Sequence, residues 1–195
     1  SIAFADALVG RLLDALAQSP YAHNTIVVLW SDHGWQLGEK EHWRKFALWE
    51  NVVRTVMMFK VPAGFPGLRE GSVPGADCSR VTSLVDIFPT LVELCGLKHP
   101  GSPDGRSLVP LLKNPSAGWK STAISAYDDR YVSIRDERYR YTRYRDGQED
   151  GLEAAAQHPK RTRETVRKRV LHPHSAGPSA GGGGLRLRRG REGAV

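Results

Sequence analysis

Asp32 and His33 stand side by side at the end of an apolar run, TIVVLW (residues 25–30), and a cluster of charge, EKEHWRK (residues 39–45), follows. A carboxylate oxygen and an imidazole nitrogen on one loop can bind a divalent cation. Lys45 and Arg44 would add fixed positive charge beside it. That combination suits an anionic group whose negative charge grows on a leaving oxygen. His42 lies in the same cluster as a further candidate substrate contact. The residue types also permit a plainer reading, with Asp32 a helix N-cap, His33 a surface side chain and EKEHWRK a solvated face.

The elements around this stretch predict an α/β chain. Ile2, Ala5, Leu8, Val9, Leu12, Leu13 and Leu16 recur at three- and four-residue steps, which predicts an amphipathic helix ending before Pro20. His23 and Asn24 make the turn into the apolar run, which reads as a strand buried on both faces. VVRTVMMFKV (residues 52–61) reads as a second such strand. A Gly- and Pro-rich loop spans 65–79. SLVDIFPTLVEL (residues 83–94) predicts a helix capped by Gly96, with Pro89 either kinking it or placed in its first turn behind Asp86 as N-cap. DGRSLVPLLKNP (residues 104–115) predicts a loop and a short helix. From Tyr127 to Tyr144 polar and aromatic residues alternate about the turn-forming RDER, which predicts an antiparallel hairpin. The expected fold is thus a mostly parallel sheet flanked by helices, with a small C-terminal antiparallel sheet. In open sheets of this class ligands gather at the carboxyl ends of strands, where Asp32 and His33 fall.

Composition narrows the partners. The net charge of +7 is a property of the tail: residues 151–195 hold ten Lys/Arg and three acids, whereas residues 1–150 hold eighteen of each. The tail is basic and Gly-rich, with few large apolar residues after position 171 and no interleaved aromatics, a poor match to a nucleic-acid-binding fold. No apolar run is long enough to span a membrane. Cys78 and Cys95 are too few for a metal cluster of paired cysteines, and Cys95, in an apolar helical pattern, is expected to be a buried thiol. His23 and His99 read as structural or surface residues. Nothing in the sequence speaks to oligomeric state.

Longer motifs carry more than spacing. NTIVVLWSDHGWQLGEKEHWRKFALWENVVRTVMMFKVPAG (residues 24–64) resembles the second half of a type I sulfatase catalytic domain, within the alkaline phosphatase superfamily. The SDHGWQLGE portion is most similar to the iduronate-2-sulfatase-like branch. The resemblance continues through SLVDIFPTLVELCGL, DGRSLVPLLKNP and SIRDERYRYTRYRDGQE, to about residue 149. It implies hydrolysis of a sulfate ester, on a sulfated small molecule or glycan. It implies that Asp32 and His33 are metal ligands for calcium (His33 alternatively contacting ester or sulfate oxygens) and that Lys45 binds the sulfate. His42 has no firm counterpart. Arg54 and Asp86 match positions read as a loop brace and a helix cap.

The departures shape the remaining expectations. The family's nucleophile is a formylglycine made from Cys in a Cys-x-Pro-x-Arg segment, and neither Cys78 nor Cys95 has that context. The first metal-binding Asp pair is missing as well. The chain is therefore expected to be a C-terminal fragment, inactive alone. Residues 1–112 would belong to the catalytic domain, 113–150 to the small hairpin subdomain, and 151–195 to a disordered or frameshifted tail. Family members are often periplasmic, secreted or lysosomal. Two rivals stand beside this reading: a phosphomonoester or phosphonate hydrolase of the same superfamily, and a non-catalytic basic nucleic-acid-binding protein.

Overall fold

The structure, a computed structural model, describes residues 2–99, 101–128, 130–144 and 149–150. The expected tail lies outside the described residues. The first helix forms as its periodicity predicts, α1 (Ile2–Ala17), and a turn over residues 18–24 leads to β1 (Val27–Trp30). The second predicted strand is shorter than its apolar run. Residues 50–53 instead form a helical turn, α2 (Glu50–Val53), and only Met57–Lys60 become β2.

The two strands pair antiparallel, Val27 opposite Lys60 and Trp30 opposite Met57, which corrects the expectation of a mostly parallel sheet. The reason lies in the connection. A parallel pair needs a crossover that carries the chain back to the starting end of the first strand. Here the chain turns at the carboxyl end of β1 and begins β2 from that same end, the Ser31 N–H donating to the Val56 carbonyl at 3.3 Å to extend the ladder. Neither strand is buried on both faces: Leu29, Trp30 and Met58 are exposed.

Beyond β2, the predicted helix over 83–94 appears as a 3-10 turn (Leu84–Asp86) running into α3 (Ile87–Leu94), with Pro89 in the first turn. Asp86 is buried and serves as more than a cap. Its carboxylate accepts the Ser83 N–H at 2.8 Å and the Arg106 N–H at 2.7 Å, tying the helix start to the loop before α4 (Val109–Lys113). At the other end of α3, Gly96 takes φ +64° and donates to the Glu93 carbonyl, while the Leu97 N–H reaches Val92, the paired bonds of a glycine-terminated helix. Cys95, expected to be buried, is exposed at this helix end. Val61, Leu68, Leu94 and Val109 form the main core, and Leu108, Leu111 and Trp119 extend it beneath Met57 and Phe59. By contrast, α1 buries no side chain: Ile2, Phe4 and Leu12 stand open to solvent.

The C-terminal hairpin forms and is widened into a four-stranded antiparallel sheet: β3 (Ala123–Tyr127), β4 (Tyr131–Arg135), β5 (Arg140–Arg143) and β6 (Glu149–Asp150), in that order. The RDER turn closes through Asp136, whose carboxylate accepts the N–H groups of Arg138 and Tyr139 at 2.8 and 2.7 Å. On one face of the sheet Ser133, Arg140 and Thr142 are buried; the Arg140 guanidinium donates to Ser133 Oγ at 2.9 Å and to the Glu50 carboxylate at 2.9 and 2.6 Å. Trp49 Nε1 donates to Tyr144 Oη at 3.2 Å. The small sheet is therefore fastened to residues 49–50.

Between β1 and α2 the backbone makes one very close approach. The Gly34 N–H donates to the Val52 carbonyl at 2.6 Å, and a Cβ on Gly34 would lie 2.0 Å from the Asn51 carbonyl oxygen. That oxygen belongs to backbone held by α2, so it has little room to retreat. Gly34→Ala should therefore destabilise the chain by about 1–3 kcal/mol, the ordinary cost of overpacking, by prising residues 51–52 from the strand end. Denaturant unfolding measures it; an unchanged midpoint would mean that the segment moves aside freely.

Candidate active site at the strand end

The loop after β1 is built to return on itself. The Gln36 N–H donates to the Arg44 carbonyl at 3.3 Å and the Gly38 N–H to the His42 carbonyl at 3.1 Å. The bend between them is a tight 3-10 turn (Glu39–Glu41), preceded by Gly38 at φ +116°, with Lys40 and Glu41 in the left-handed region. The Glu39 carboxylate accepts the Leu37 N–H at 2.7 Å. That bond, and a second from its own N–H, hold its pKa below the usual carboxylate value. Gln36 is buried and its side-chain oxygen accepts Asn51 Nδ2 at 3.4 Å, which pins the loop to the α2 segment.

This return brings Lys45 to His33. Lys45 Nζ lies 2.9 Å from His33 Nε2. The other ring nitrogen, Nδ1, lies 2.8 Å from the Gly34 carbonyl oxygen, which can only accept. Nδ1 therefore carries the proton and Nε2 presents its lone pair to the ammonium. Asp32 completes the group, its Oδ2 3.4 Å from Nε2 and its Oδ1 accepting the His33 N–H at 3.0 Å. An Asp32–His33 ion pair would require an imidazolium, but the shorter Lys45 contact calls for the neutral ring. The neutral ring fits both close contacts.

As a calcium site the pair is incomplete. Calcium takes about 6–8 oxygen ligands. Among the described residues no group of three or more His, Cys, Asp or Glu is arranged to hold a metal. Asp32 fits as one oxygen ligand, since its side chain is 74% exposed and its carboxylate oxygens keep lone pairs beyond the contacts to His33. His33 does not fit in this arrangement, because Lys45 occupies its free lone pair.

Asp32, His33 and Lys45 open onto one cavity of about 1190 Å³, and among the described residues five cations (Lys45, Arg54, Arg80, Arg135, Arg140) line it against two carboxylates (Asp32, Glu50). A concave surface with that excess of positive charge suits an anion. His42 is not among the described lining residues; its ring meets the Trp49 ring edge-on at 5.3 Å, and its Nε2 is buried with no hydrogen-bond partner among the described residues. Arg54, expected as a loop brace, is 79% exposed and lies 3.8 Å from Glu50; the brace is Arg140. Glu50, Arg135 and Arg140 were not singled out by the sequence reading. The strict alternation in SIRDERYRYTR contained the signal, for it sets Arg135 opposite Arg140 and Ser133 opposite Thr142 on one face.

Comparison with known proteins bears on family and fold. The family model described as Sulfatase matches residues 1–97. A sulfatase from Formosa agariphila is 40% identical over 156 residues, covering 80% of this chain and 29% of the relative. Human iduronate 2-sulfatase is 33% identical over 117 residues, covering 51% of this chain and 21% of the relative. The chain thus spans less than a third of the length of either. Among solved structures, BT4656 in complex with its substrate D-glucosamine-2-N,6-O-disulfate matches with a TM-score of 0.67 at 21% identity, covering 86% of this chain and 39% of that one. The phosphonate monoester hydrolase of Agrobacterium radiobacter matches with a TM-score of 0.66 at 24% identity, covering 87% and 39%. These two structures establish the alkaline-phosphatase-like fold alone. Sequence and fold together lead to one assignment: this chain belongs to the sulfatase family.

Proposed function

We propose that this chain supplies the sulfate-holding part of an enzyme that hydrolyses a sulfate ester on a carbohydrate. The observation that carries the proposal is the convergence of Lys45, His33 and Asp32 at one strand end, inside a cavity with an excess of cations. The 33% identity to human iduronate 2-sulfatase supports a sugar as the bearer of the ester.

In this reading Lys45 grips the sulfate. An ammonium is a compact point charge whose direction can follow negative charge as it moves from the ester to the leaving oxygen. His33 presets it: Nδ1–H is fixed on the Gly34 carbonyl, so Nε2 holds the ammonium in place before substrate arrives. Asp32 would give calcium one oxygen ligand, and the ion, when bound, would supply further positive charge to the sulfate oxygens. The formylglycine nucleophile expected from the family has no precursor motif in this chain. The phosphonate hydrolase alternative shares the fold, and what favours the sulfate ester over it is the family match and the sulfatase relatives.

Two substitutions test these roles when residues 2–144 stand within a complete sulfatase domain. Lys45→Ala should lower kcat for a sulfate ester by about 10²–10³-fold, the usual cost of losing one donor to a developing anion, while calcium binding persists. Turnover at the wild-type rate would remove Lys45 from the site. Asp32→Ala should weaken calcium binding in a calorimetric titration, because it removes both charge and oxygen from the metal's surroundings. An unchanged affinity would return Asp32 to the role of loop cap.

A further inference from the structure

The cavity has a second wall, and it is aromatic. Phe46 follows Lys45 directly, and the Lys45 ammonium lies 5.8 Å from the centre of its ring. From there rings continue at an even spacing. Phe46 meets Tyr127 at 6.0 Å, Tyr127 meets Tyr131 at 6.0 Å, and Tyr131 meets Tyr144 at 6.2 Å. All four line the cavity that holds Asp32, His33 and Lys45.

Hairpin stability explains only part of this arc. Tyr127 and Tyr131 are register partners at the mouth of β3 and β4, and cross-strand aromatic pairs do stabilise sheets. That reason does not reach Phe46, which comes from the Lys45 loop. Nor does it account for exposure: among the described residues nothing covers Phe46 and Tyr127, which are 62% and 54% open to solvent. The arc is also held at its far end, where Trp49 Nε1 donates to Tyr144 Oη. Both of its ends therefore rest on residues 46–49, the same short segment that delivers Lys45. A platform fixed in this way needs no reorganisation to receive a ligand.

We propose that Phe46 and Tyr127, continued by Tyr131, form a stacking platform for the sugar ring adjoining the sulfated one. A pyranose ring has an apolar C–H face, which lies against an aromatic ring, and a rim of hydroxyls, which the tyrosine O–H groups can meet. Phe46 lies 5.8 Å from the Lys45 ammonium and Tyr127 one ring further, so the arc extends past the end that holds the sulfate. The ligand class is thus a sulfated oligosaccharide, read by Lys45 at one end and by aromatic faces beyond it. This inference rests on the sulfatase reading given above.

The test uses a complete sulfatase domain carrying these residues and two substrates, a sulfated disaccharide and the same sulfated sugar as a monosaccharide. Phe46→Ala and Tyr127→Ala should each lower the ratio of kcat/KM values, disaccharide over monosaccharide, by about fivefold or more, chiefly through KM for the disaccharide. Phe46→Tyr, which keeps an aromatic face, should restore the ratio. An unchanged ratio, whether both substrates lose activity or neither does, overturns the platform and leaves the sulfatase reading standing. Wild-type protein that cleaves neither sugar and no aryl sulfate overturns the sulfatase reading, and the platform with it.

Discussion

The missing side chain at Gly34 is the constraint on which the site depends. A Cβ there would sit 2.0 Å from the Asn51 carbonyl oxygen, so only glycine lets the strand end press against the backbone leading into β2. That contact makes the β1–β2 connection double back, and the doubling back sets both the antiparallel pairing and the position of the loop over 36–44. The same residue's carbonyl oxygen orients His33 by accepting from Nδ1. Packing and chemistry thus meet at one position. Strain in the return loop, with Lys40 and Glu41 at positive φ, is offset by the Glu39 carboxylate and the buried Gln36.

A second dependence runs through Glu50. Its carboxylate takes two hydrogen bonds from Arg140, which is almost wholly buried, and Arg135 approaches it at 3.5 Å. Buried guanidinium needs such a partner, since an unpaired charge there would cost several kcal/mol, on the order of 3–5. The small C-terminal sheet is thereby locked beside the Lys45 loop and contributes one wall of the cavity. Among the described residues, three arginines around Glu50 exceed it in charge, which leaves that wall positive. Fold and electrostatics share the same residues.

Much of this was legible in the sequence, and the misses have physical causes. The apolar period of α1, the Gly96 terminus and the turn at Asp136 are local signals, and they appear where the pattern placed them. Asp32, His33 and Lys45 stand out by residue type and spacing, motif resemblance adds their expected roles, and the fold brings them together. Strand direction was misjudged because an apolar run states burial, not the partner's direction. VVRTVMMFKV reads as one strand, yet Val52 and Val53 are used in a helical turn whose start is fixed by distant contacts at Trp49 and Glu50. Tertiary contacts of that kind leave no periodic trace. Cys95 follows an apolar helical pattern but falls at the helix end, where the pattern no longer implies burial. The buried arginine face of β4 and β5 was overlooked because charged residues usually mark the solvated side.

Sulfatases and phosphonate monoester hydrolases share this fold, as the two structural likenesses demonstrate, so architecture alone does not choose between sulfur and phosphorus. In the proposed reading, the choice rests on how Lys45, His33 and Asp32 would meet the anion. The most direct measurement is a side-by-side comparison of kcat/KM for an aryl sulfate and an aryl phosphonate monoester, in a complete domain carrying these residues. Preference for the sulfate ester, lost with Lys45→Ala, is the predicted result. Preference for the phosphonate, or sulfate turnover indifferent to Lys45, would contradict the account.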